Sequence, residues 1–234
     1  EFGYRMPLER WKRAQKSEKK YWLSRKQATS ERMQDVSNKD RKQYFEEKIT
    51  HGFNINYDFF GGKSVLEIGC GPNGIIFQID NAESRVGLEP LDLNDLTFEK
   101  WKKSIIRNGV GEEIPFDRDS FDVVLIFNAL DHCFNPCKVI KEAHRVLRND
   151  GDLLIWLHVL REKHYFLEPL LNKLDSSHPY HFTQNKILRI LQDGGFYVKQ
   201  KKYDKGAGLA NNTLKKIIAN CVMSDVWLWS RKTQ

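Results

Sequence analysis

Apolar and polar positions follow two different patterns along the chain. In the first 60 residues the apolar positions are sparse and recur at helical intervals. In "RWKRAQKSEKKYWLSRKQA", Trp11, Ala14 or Gln15, Glu18 and Trp22 lie around one helix, with Lys and Arg elsewhere. "KDRKQYFEEKITHGF" gathers Tyr44, Phe45 and Ile49 on one face of a second helix. From Ser64 the pattern changes to short, unbroken apolar runs: "SVLEIGC" (64–70), "RVGLEP" (85–90), "FDVVLIFN" (121–128) and "DLLIWLHV" (152–159). Runs this short and continuous predict strands buried on both faces. Helical stretches at 92–108 and 137–147 separate them, with Gly151 as the expected stop of the second. "QNKILRILQDGG" predicts a helix ending in glycine. "FYVKQKKYD" and "DVWLWSRK" predict two more strands, with the short helical "NTLKKIIAN" between them.

Strands alternating with helices give an α/β fold with a doubly wound, mostly parallel sheet and an antiparallel finish. Residues 1–60 form a helical extension, and residues 61–234 form the main domain. The chain of 234 residues is long enough for one such domain with a full core.

Composition narrows the function classes. No apolar run reaches the ~20 residues needed to span a bilayer. The opening "EFGYRMPLERWKR" lacks the apolar core of a secretory signal, so a cytoplasmic location is expected. Cys70, Cys133, Cys137 and Cys221 form no CxxC pair and are expected as reduced thiols. Cys133 and Cys137 lie near His132 and His144, but Asn135 and Pro136 between the cysteines imply a turn, and no metal is expected. The net charge is +7, and most of the excess falls in the first 60 residues. That segment suits an anionic small molecule, nucleic acid or a solvated helical face.

The chemistry concentrates at "SVLEIGCGPNG". Gly69, Gly71 and Gly74 have the G-x-G-x-x-G spacing that lets backbone approach a ligand closely. A pyrophosphate would meet repulsion from Glu67, two residues before the first glycine, and Pro72 removes one N–H donor. A cofactor with a cationic or amine-bearing end suits the loop better. Glu89 ends the second strand, 20 residues beyond Gly69, where a carboxylate accepts hydrogen bonds from a ribose diol.

With those residues in view, "VLEIGCGPNG" resembles the first motif of class I S-adenosylmethionine-dependent methyltransferases. "GLEP" resembles their second-strand motif. "GEEIPFDRDSFDVVLIFNALDHCFNP" is similar to the stretch around their fourth strand, and "KEAHRVLRNDGDLLI" to the helix, turn and fifth strand that follow. Among them the chain looks most like the small-molecule, quinone-biosynthesis-like subgroup. The resemblance implies a seven-stranded Rossmann-like sheet with an N-terminal helical lid, and S-adenosylmethionine as cofactor. It implies that Gly69 and Gly71 pass under the methionine part and that Glu67 organises the loop and the amino group. Glu89 would hold the ribose hydroxyls, Leu91 would lie beside the adenine, Glu112 would meet the adenine edge, and Asn128 would line the methionine end. An Asp common two residues before Glu112 is replaced here by Val110.

Methyl transfer from a sulfonium needs alignment, and an alcohol or phenol acceptor gains from a base. Asp131 and His132 follow the fourth strand, and His178 and His181 lie in "SSHPYHFT"; these four are the candidate catalytic residues. His158 follows the fifth strand on the same edge. Trp11, Tyr21, Trp22 and Tyr44 are expected to include acceptor-facing aromatics. The expected function is methyl transfer to a small molecule, anionic if the basic lid reports its charge, and at oxygen rather than nitrogen. RNA methylation is the alternative, though "NALD" is not the polar-Pro-Pro-aromatic loop used on bases. A non-catalytic binding module and an NAD-dependent oxidoreductase stand behind these. Oligomeric state is not assigned.

Overall fold

A computed structural model describes residues 6–32, 38–92, 105–175, 178–205 and 221–233. Five α-helices among them are α1 (Leu8–Arg32), α2 (Asn38–Phe53), α3 (Pro136–Val146), α4 (Glu168–Leu174) and α5 (Gln184–Asp193). The strands are β1 (Ser64–Ile68), β2 (Ser84–Glu89), β3 (Ile106–Asn108), β4 (Phe121–Phe127), β5 (Leu147–Leu160), β6 (Phe196–Lys205) and β7 (Met223–Lys232). They form one seven-stranded sheet in the order β3-β2-β1-β4-β5-β7-β6. Pairing is parallel from β3 to β5, and β7 runs antiparallel to both β5 and β6. The strand order reverses between β1 and β4, which opens a crevice at their C-terminal ends.

The continuous apolar runs reflect burial on two faces. Leu66, Val124 and Leu153 point into one core, where Val139 and Ala143 of α3 and Ile187 of α5 meet them. Their neighbours Val65, Val123 and Leu154 point into the other, closed by Ile49 and Phe53 of α2. Phe53 stacks on Phe127 with centroids 6.0 Å apart. The backbone of α2 comes so close to β7 that a Cβ on Gly52 would lie 1.9 Å from Trp227 Cδ1.

Three local features differ from the sequence pattern. The helix expected at 92–108 falls mostly on residues 93–104, outside the described residues, and its last three positions form β3. The "NTLKKIIAN" segment also lies outside them. Gly151 is not a helix stop: α3 ends at Val146, and Leu147 already pairs with Phe121 in β4. The β4–β5 register shifts just after that pair, and a Cβ on Gly151 would come within 2.6 Å of Leu147 Cδ2. The glycine therefore serves close packing at this irregularity. No described helix is long and apolar enough to cross a membrane.

Gly52→Ala tests the docking of α2. Overpacking against Trp227 should cost about 1–3 kcal/mol in denaturant unfolding. Unchanged stability would show that α2 does not lie against β7 at this distance.

Candidate active site

Beyond β1 the chain turns on Gly69 (φ +70°) and Gly71 (φ +51°). Glycine adopts this left-handed backbone without strain. A Cβ on Gly69 would also lie 2.5 Å from Ala129 Cβ, so space as well as conformation requires glycine. No α-helix follows. The chain forms two 3-10 turns instead, Gly71–Asn73 and Ile75–Phe77. Short turns leave amide donors without intrahelical acceptors.

Two carboxylates take those donors. Glu67 is 2% exposed, and its Oε2 accepts from Ile76 N at 2.9 Å. A Cβ on Gly74 would fall 2.4 Å from that oxygen, which accounts for the third glycine. Glu89 accepts from Gly71 N through Oε2 at 2.8 Å and from Leu91 N through Oε1 at 3.0 Å. Burial pushes the Glu67 carboxyl up to about 8 and that of Glu89 up to about 7, against the opposing pull of these amides. Each oxygen of a carboxylate offers two lone pairs, so both oxygens of Glu89 can still accept from a ligand.

These groups open into a cavity of ≈ 280 Å³. The residues expected to hold a cofactor, Glu67, Gly69, Gly71, Glu89, Leu91, Glu112 and Asn128, all line it. Glu112 is buried and is not a solvated loop charge; its Oε1 accepts from Asn135 N at 2.8 Å and so ties its loop to the start of α3. Asn128 has φ +50°, and its Oδ1 is buried without a hydrogen-bond partner. Helix α1 borders the cavity with Trp11, Glu18 and Trp22, and α2 with Tyr44 and Phe45. Tyr21 does not face it and is exposed. Trp11 Nε1 donates to His132 O at 3.1 Å, which fixes α1 to the loop after β4. Phe127 at the end of β4 and Trp156 within β5 complete an aromatic wall.

The candidate catalytic residues divide into three that meet and one that stands behind. His132 lines the cavity. Its Nε2 lies 3.8 Å from Asp131 Oδ2, and its ring centroid lies 4.9 Å from that of His178. His178 Nδ1 bonds Asp175 Oδ2 at 2.9 Å. Burial works against a charge on His178, but that bond and the charges of Asp131, Asp175 and Glu18 outweigh it and raise it to about 9. Asp175 is held well below the usual carboxylate range; its hydrogen bonds to His178 and His181 overcome its burial. His181 is not on the cavity wall: it is buried, and its Nδ1 meets Asn172 Oδ1 at 2.9 Å. His158 pairs with Asp225 across β5 and β7.

A family profile described as "Methyltransferase domain" matches residues 66–155. Over those residues the chain is similar to methyltransferase domains. A probable S-adenosylmethionine-dependent methyltransferase of Mycolicibacterium smegmatis is 28% identical over 155 residues, covering 64% of this chain and 58% of the relative. The phthiotriol/phenolphthiotriol dimycocerosates methyltransferase of Mycobacterium tuberculosis is 36% identical over 99 residues, covering 39% of this chain and 36% of the relative. The chain thus spans less than two thirds of the length of these curated relatives. The YcgJ protein of Bacillus subtilis has the same fold, with a TM-score of 0.59 at 18% identity over 76% of this chain and 96% of its own.

The residues of the site fit S-adenosylmethionine, the compound in the name of the M. smegmatis relative. Both Glu89 oxygens remain open to a ribose diol, and the buried Asn128 Oδ1 awaits a donor such as an ammonium. Sequence reasoning found the loop and both carboxylates but missed Glu18, Asp175 and Trp156. Asp175 carried a faint signal, lying three residues before His178.

The raised carboxyls make stability depend on pH. Each binds its proton more tightly in the folded chain, so its contribution is full below the ordinary value of 4.5 and is lost as pH rises through about 7 for Glu89 and 8 for Glu67. His178 loses its contribution over a window ending near 9. The ligand-free Tm should therefore fall from weakly acidic to weakly basic buffer, and Glu67→Gln should make the fall shallower. The same slope in wild type and variant would contradict the assignment to Glu67.

Proposed function

We propose that this chain transfers the methyl group of S-adenosylmethionine to a small-molecule acceptor, at oxygen rather than nitrogen. One observation carries the reading: a single cavity runs from the ribose-type carboxylate Glu89, past the unpartnered Asn128 Oδ1, to His132. S-adenosylmethionine supplies an electrophilic methyl on a sulfonium that is already a good leaving group. Glu89 binds the ribose hydroxyls, Leu91 and Glu112 border the adenine, and the Gly69–Gly71 backbone with Asn128 holds the methionine part.

The chain's own contribution to chemistry is alignment and proton handling. Trp22, Tyr44, Phe127 and Trp156 give the acceptor an apolar bed that also excludes water. His132 accepts the acceptor's hydroxyl proton, and the carboxylates of Asp131 at 3.8 Å and Glu18 at 3.9 Å stabilise the imidazolium that forms. The basic α1 suits an acceptor carrying negative charge. The triol and phenol in the name of the M. tuberculosis relative favour oxygen. A roof made by α1 and α2 favours a small acceptor over RNA.

Radiolabelled S-adenosylmethionine offered with a panel of phenols, hydroxy acids and sugar nucleotides tests the reading. Label should enter one hydroxylated class. Once an acceptor is in hand, His132→Ala should lower turnover by about 10²–10⁴-fold with S-adenosylhomocysteine affinity unchanged. Full turnover in that variant would remove His132 from proton transfer, and label entering RNA alone would overturn the acceptor class.

A further inference from the structure

Beside His132, the one member of the group that lines the cavity, stand two further polar side chains. Asp131, His132 and His178 each offer a ligand atom, and these atoms all lie within 4.8 Å of one another. We propose that they form a binding site for a divalent first-row transition-metal ion, which holds an oxygen of the acceptor. The proposal rests on the cavity being the acceptor site; with the ion bound, His132 acts as a ligand, and the ion in place of the imidazole lowers the pKa of the acceptor's hydroxyl.

Two imidazoles and one carboxylate are the donor set of open metal sites, which leave positions for water or substrate. The groups behind the ligands fit this role. Metal-binding histidines usually give their second ring nitrogen to a carboxylate, which fixes the tautomer and ring orientation. His178 does so through the 2.9 Å bond from Nδ1 to Asp175 Oδ2, which leaves Nε2 as the free nitrogen. His132 turns Nδ1 towards Glu18 Oε2 at 3.9 Å, longer than a hydrogen bond, and Nε2 towards Asp131. Asp175 is itself held by His181 Nε2 at 3.5 Å, which gives that buried histidine a role away from the cavity.

An independent sign points to a missing ligand. Asp131 is largely buried, its side chain 13% exposed, yet its Oδ1 has no hydrogen-bond partner. Leaving a buried carboxylate oxygen unpaired is costly, and a cation beside it removes the cost. Ligands 2.0–2.2 Å from a tetrahedral ion lie about 3.4 Å apart, so the ligand atoms, now within 4.8 Å of one another, need close by at most about 1.4 Å. The cysteines do not take part: Cys133 Sγ donates to Ala129 O at 3.3 Å.

The test uses the full chain, stripped with a chelator and titrated with Co²⁺ while its visible ligand-field absorption is followed. One ion per chain should bind. Asp131→Asn and His178→Ala should each weaken binding at least tenfold. Asp175→Asn, which alters a positioning residue, should weaken it by about 10–100-fold and shift the spectrum without changing stoichiometry. S-adenosylhomocysteine binding, measured in parallel by calorimetry, reports separately on the cofactor reading and on folding. A stripped protein that binds S-adenosylhomocysteine but takes up no Co²⁺ overturns the metal site. So does uptake that Asp131→Asn and His178→Ala leave unchanged. Loss of S-adenosylhomocysteine binding in wild type would instead overturn the proposed function.

Discussion

The loop after β1 leaves the sheet without forming an α-helix, so its amides need acceptors from elsewhere. Glu67 and Glu89 provide them from inside the sheet, at the ends of two neighbouring strands. A buried carboxylate is expensive unless hydrogen bonds surround it. Here the bonds it accepts are those the loop must make, so the loop's shape and the carboxylates' burial each require the other. The three glycines follow from this arrangement. Gly69 clears Ala129, Gly71 turns its amide to Glu89, and Gly74 leaves room for Glu67 Oε2. Arg41 of α2 adds an outside brace through Asn73 Oδ1 at 2.7 Å.

The same two strand ends set where everything else can act. Because the strand order reverses between β1 and β4, the glycine loop and the loop after β4 face each other across the crevice. Asn128 stands at that junction, with Asp131 and His132 just beyond. Helix α1 reaches the His132 end of the cavity through Trp11 on His132 O and Arg10 on Pro179 O. It therefore joins the post-β4 loop to the histidine-bearing segment before α5. Helix α1 and the polar cluster form one contact system, and any movement of α1 would change the surroundings of His132.

Much of this architecture was legible in the chain because short apolar runs can be buried only in a two-faced sheet. Glu67 and Glu89 stood out for the same reason: a carboxylate within or ending an apolar run needs a partner. β3 was hidden because Ile106–Asn108 is too short and half polar to separate from the helical pattern before it. Gly151 looked like a helix stop, but the need came from packing on Leu147 and Asp122, which no local pattern reveals. The histidines were visible as residues and not as a group. His132 and His178 meet only because α1, the β4 loop and the segment after α4 converge. Asp175 and Glu18 acquire their roles from that convergence, and His181 turns away from the cavity because Asn172 and Asp175 hold it.

A crystal structure with S-adenosylhomocysteine tests the central claim most directly, because it locates the ribose against Glu89. Both ribose hydroxyls should donate to the Glu89 carboxylate, with the amino-acid end between Gly69–Gly71 and Asn128 and the Gly71 amide still bonded to Glu89. A ligand whose ribose lies away from Glu89, or a loop that abandons both carboxylates to bind it, would contradict the account.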